Sequence, residues 1–74
     1  MTDREMAELW EEILDVDDIG ADDHFFEVGG NSLLAVDVVA AVNARTGAII
    51  SLGQFFADPT PRAVAAAISR GVSR

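Results

Sequence analysis

The residue types best placed to do chemistry in this sequence lie in Gly29-Gly30-Asn31-Ser32-Leu33-Leu34, where a hydroxyl falls between a glycine pair and an apolar helical pattern. Glycines carry no side chains, so a second macromolecule could approach the backbone closely here. A helix beginning at this point has unpaired amides and a positive dipole end, which suits a phosphate esterified to the Ser32 hydroxyl. The plain alternative is that Ser32 merely caps the helix, as Ser and Asn routinely do. The local pattern leaves both readings open.

Other chemistries fit less well. Ser32 lacks the second glycine of a nucleophile elbow, and the lone His24, eight residues upstream, does not complete a triad. His24 reads as a loop or surface residue, and one histidine makes no metal site. Asp15, Asp17, Gly20 and Asp23 fall on positions 1, 3, 6 and 9 of a calcium-loop template. Ile19 and Phe26 occupy its fifth and twelfth positions, so the bidentate carboxylate is missing and no calcium site is expected.

With 74 residues, the chain is expected to form a single domain over 1–74. It has no cysteine, so hydrophobic packing must hold it together without disulfides, and no metal is expected. The net charge is −8, from 13 carboxylates against five Arg and no Lys. Such a chain has no basic stripe for nucleic acid and would be repelled by anionic membranes. No apolar run reaches membrane-spanning length and the first ten residues lack signal-peptide order, which leaves the cytoplasm as the expected compartment. The charge is lopsided: residues 1–27 carry −10 and residues 28–74 carry +2. Such asymmetry ordinarily marks a solvated acidic face.

The elements that must position Ser32 are legible in outline. Thr2 and Glu5 have capping-box form ahead of Met6, Leu9, Trp10, Ile13 and Leu14, which predicts an amphipathic helix over 3–14. Residues 15–31 show no sustained period and read as a loop, with Val16, Ile19, Phe25, Phe26 and Val28 expected to pin it to the core. So long a loop in so small a domain is itself a functional hint. A second helix is predicted from Asn31 or Ser32 to Thr46, ending at Gly47. Ser51 and Gln54 predict a short helical turn through Phe55 and Phe56, stopped at Asp58-Pro59. Thr60 then caps a last helix with Pro61 in its first turn and Val64, Ala67 and Ile68 inward. The fold class is all-α, a four-helix bundle with a short third helix and a long first loop.

The second helix is apolar on two sides. Ala35, Val38, Val39 and Val42 follow i, i+3, i+4, i+7 and can face the core, with Leu34 at the margin. Leu33, Val36 and Ala40 form a second stripe pointing roughly opposite, so that face is either covered by the loop or offered to a partner. A noncovalent helical docking module would share this feature.

Taken together, these residues resemble the thiolation, or peptidyl carrier, domains of nonribosomal peptide synthesis, within the acyl-carrier-protein superfamily. Asp22-Asp23-His24-Phe25-Phe26-Glu27-Val28-Gly29-Gly30-Asn31-Ser32-Leu33-Leu34-Ala35 is similar to the family motif D-x-F-F-x-x-G-G-x-S-L-x-A. Phe55-Phe56 before Asp58-Pro59-Thr60-Pro61 is similar to the family's exit from its third helix. The glycine pair looks like peptidyl carriers rather than polyketide or fatty-acid carriers, which usually place Asp before the serine. Asn31 stands where His or Asp is commoner among peptidyl carriers.

The resemblance implies that Ser32 carries 4′-phosphopantetheine, transferred from coenzyme A by a phosphopantetheinyl transferase. The arm's thiol would hold aminoacyl or peptidyl groups as thioesters in the making of a secondary metabolite such as an antibiotic, with no catalysis by the domain itself. Leu33, Val36 and Ala40, and by resemblance Phe56 and Ala57, would meet the transferase, the adenylation enzyme, and condensation, tailoring or thioesterase enzymes in turn. A monomer is expected. The initiating Met1 and compact ends lean toward a free-standing carrier.

Overall fold

In a computed structural model, which describes residues 1–72, four helices follow in order: α1 (Asp3–Leu14), α2 (Ser32–Thr46), α3 (Leu52–Ala57) and α4 (Pro61–Val72). The expected domain runs to residue 74, and its last two residues lie outside the described ones. No strand occurs among the described residues, so the all-α expectation holds. Nor is any described helix long and apolar enough to cross a membrane.

The helix ends follow local chemistry. Thr2 and Glu5 close the expected capping box on α1: Glu5 N–H donates to Thr2 Oγ1 and Thr2 N–H donates to Glu5 Oε1. Ser51 and Gln54 do the same for α3. At α4, Ala63 N–H donates to the Thr60 hydroxyl. Gly47 ends α2 at φ 73°, a left-handed geometry that glycine adopts without a Cβ penalty.

One apolar core joins the elements. Trp10 lies edge-on to Phe25, with ring centroids 5.0 Å apart, and Phe55 packs edge-on to Phe25 at the same separation. Edge-to-face packing sets the positive ring edge of one aromatic against the negative face of another. Trp10 Nε1 is buried without an acceptor, a desolvation cost set against the contacts its ring makes. Met6, Leu9, Val38, Val42, Val64 and Ile68 fill the remaining interhelical space.

Several expectations need correction. Phe26 does not pin the loop to the core: it is 42% exposed and stacks on Phe56, centroids 5.6 Å apart and planes 19° from parallel. Phe25 takes the core position between Trp10 and Phe55, and Phe26 is left at the surface. On α4, Ala65 is fully buried whereas Ala67 is only half-buried. Ala48 and Ile50, in the α2–α3 connection, also join the core. Asn43 holds that connection, its Oδ1 accepting from Ile50 N–H and its Nδ2 donating to Ile50 O.

Candidate functional site: the loop and helix tip around Ser32

Ser32 is exposed and is the first residue of α2. Capping falls to Asn31, whose Oδ1 accepts from Leu34 N–H at 2.9 Å. Ser32 is therefore not the cap of α2. Because Asn31 does the capping, the Ser32 hydroxyl is left without a hydrogen bond among the described residues. The first turn of α2 holds no acidic residue, in a chain of net charge −8. An anion attached at this hydroxyl would therefore meet the positive end of the helix with no carboxylate from the same turn to oppose it.

The preceding loop holds this tip by contacts to distant parts of the chain. Phe25 N–H donates to Pro59 O, and Gly30 N–H donates to Phe25 O, both at 2.9 Å. The Phe25 ring lies directly over Gly30, where any Cβ would collide with its Cδ2 and Cε2. Gly29 has a different reason to be glycine: its φ is +108°, and the space around its missing Cβ is open. From sequence, both glycines are room for a partner to approach the backbone. Internal packing accounts for Gly30 and backbone geometry for Gly29, while the open surroundings of Gly29 still leave the tip accessible.

Farther up the loop, Arg62 of α4 grips Asp22 with Nε to Oδ1 at 2.8 Å and Nη2 to Oδ2 at 3.2 Å, while its Nη1 reaches Asp3 Oδ2 at 3.3 Å. Hydrogen bonding from Arg62, then its charge, holds the Asp22 carboxyl below the ordinary carboxylate range. No signal of helical or strand period could have found this clamp, because its members are 40 and 59 positions apart. His24 accepts from Phe26 N–H through Nδ1, a local loop contact and not a catalytic arrangement. No cluster of three His, Cys, Asp or Glu able to hold a metal occurs among the described residues.

The second stripe of α2 is open. Leu33 is 80% and Val36 48% exposed, and Ala40 is exposed as well. The loop leaves this face uncovered, which removes the double-burial reading. Phe56 and Ala57 are also exposed, at the end of α3, and the Phe26–Phe56 stack gives the surface a flat aromatic element that the sequence reading missed. The surplus aromatic in Phe25-Phe26 was the signal available.

Residues 4–68 match the model of the phosphopantetheine attachment site family. The chain belongs to that family. This carrier domain is 35% identical over 68 residues to surfactin synthase subunit 1 of Bacillus subtilis (strain 168), covering 92% of the chain but 2% of that protein. It superposes with a TM-score of 0.90 on a peptidyl carrier protein solved in complex with the phosphopantetheine transferase Sfp and coenzyme A, at 36% identity and covering 95% and 91% of the two chains. The McyG A-PCP structure complexed with phenylalanyl-adenylate gives a TM-score of 0.85 at 30% identity, covering 90% of the carrier domain and 10% of that chain. The prosthetic group of the family is 4′-phosphopantetheine, and an accessible, unpaired hydroxyl at an acid-free helix tip fits its attachment.

Proposed function

We propose that the carrier domain, residues 1–74, holds aminoacyl or peptidyl groups on a 4′-phosphopantetheine arm joined to Ser32, in nonribosomal peptide biosynthesis. The observation that carries this reading is the exposed Ser32 hydroxyl, spared from capping by Asn31. Ser32 Oγ would attack the pantetheine-bearing phosphorus of coenzyme A in a transferase's site. The Oγ–P bond forms, the pyrophosphate bond breaks, adenosine 3′,5′-bisphosphate leaves, and the hydroxyl proton passes to the transferase. The arm supplies a terminal thiol for thioester attachment. The chain itself catalyses nothing; its residues present one oxygen and a docking surface.

Leu33, Val36 and Ala40 on α2, with Phe56, Ala57 and the stacked Phe26, form that surface for the transferase and an adenylation enzyme, and then for condensation, tailoring or thioesterase enzymes. Tethering makes each later encounter effectively intramolecular, so individual contacts can remain weak and exchange quickly. Such a shuttle works as a cytoplasmic monomer.

The test is mass spectrometry after incubation with coenzyme A and Sfp. Wild type gains the mass of one phosphopantetheine and Ser32→Ala gains none. An unmodified wild type, under conditions that load a known carrier, would refute the assignment and favour a noncovalent docking module.

A further inference from the structure

Arg62 occupies a position that helix electrostatics disfavours. It is the second residue of α4, where the macrodipole opposes a cation. What it holds explains the placement: one guanidinium joins the loop at Asp22 to the start of α1 at Asp3. Its own backbone N–H donates to Ala21 O at 2.9 Å, a second tie to the same stretch of loop. Arginine's planar fork suits this task because it can meet both oxygens of one carboxylate and still reach another acceptor. Beyond Asp22 the path to the helix tip is short: Phe25 is held by Pro59 O, Gly30 by the Phe25 carbonyl and ring, and α2 opens two residues later.

We infer that Arg62 is a positioning residue for modification of Ser32: through Asp22 it keeps the loop and the tip of α2 in the conformation a transferase recognises. The inference rests on the Ser32 assignment above. Without the clamp the loop samples other conformations, and only the fraction in the competent one binds. The apparent affinity falls in proportion to that fraction, while turnover within the bound complex is unaffected. The signature is a raised KM for the carrier domain at unchanged kcat.

The test is a cycle of Arg62→Gln, Asp22→Asn and the double variant. Loss of exposed ion pairs predicts a raised KM in each single variant with Sfp and coenzyme A, by no more than about three-fold. Because both changes break one clamp, the double variant should show little more than either alone. Circular dichroism should show all four proteins equally folded, since Arg62→Gln also removes an unfavourable cation from a helix N-terminus. Arg62→Lys, which keeps the charge but not the fork, should fall between wild type and Arg62→Gln. Unchanged KM in the single variants, effects that multiply in the double variant, or a loss of kcat alone would overturn the inference. Amide exchange at Phe25 and Gly30 reads the clamp without any transferase: it should accelerate in Arg62→Gln, and unchanged exchange overturns the inference whether or not Ser32 accepts an arm. Failure of wild type to load would instead refute the Ser32 assignment.

Discussion

The Phe25 ring covers the α-carbon of Gly30 so closely that no side chain fits between them. Phe25 is at the same time fully buried between Trp10 and Phe55. A core aromatic thus sets the backbone path two residues before the candidate serine, Ser32. Gly30→Ala should cost about 1–3 kcal/mol through overpacking. Trp10, the only tryptophan, reports this directly, because its fluorescence in a urea titration follows the aromatic cluster. Gly29→Ala should also destabilise, through the positive φ alone, and the two variants should differ in amide exchange at Phe25, which only the Gly30 substitution disturbs.

Capping falls to Asn31, which leaves the neighbouring Ser32 hydroxyl for the proposed modification. Asn31→Ala should lower stability by about 1 kcal/mol, the usual loss for an N-cap. Ser32→Ala should leave thermal unfolding nearly unchanged while removing the proposed attachment point. A large stability loss in Ser32→Ala, measured by circular dichroism, would show that the hydroxyl has a structural task.

The two sides of α2 should respond oppositely to charge. Val38 is fully buried, so Val38→Asp places an unpaired carboxylate in the core at a cost of several kcal/mol. Against a total stability on the order of 5 kcal/mol, that should unfold the domain. Val36→Asp should keep helicity yet slow aminoacylation by an adenylation enzyme. Loss of helical signal in Val36→Asp would contradict its exposure.

Stability should fall at acid pH. Asp22 titrates below its ordinary value because Arg62 bonds to its ionised form, and Glu5 does so because the Thr2 backbone N–H and hydroxyl bond to it. A depressed folded value means that the unfolded chain binds protons more readily. The stabilisation is therefore complete above the ordinary carboxylate value of about 4 and is lost as pH falls through the lower folded values. Asp22→Asn should flatten that part of the acid unfolding curve; an unaltered curve would show that the Arg62 pair adds nothing to stability.

Periodicity and capping chemistry are local, so the four helices, their caps apart from the start of α2, and the candidate serine could be read directly along the chain. Thr2 with Glu5, Ser51 with Gln54, Thr60 before Pro61, and Gly47 each act within one turn, and the apolar spacing of α2 already showed two faces. Tertiary structure decided what depends on residues remote in sequence: that Phe25 and not Phe26 enters the core, that Gly30 is glycine because of the Phe25 ring, and that Arg62 reaches across to Asp22 and Asp3. Those outcomes turn on which surfaces meet when helices pack, and a nearest-neighbour pattern contains no record of that.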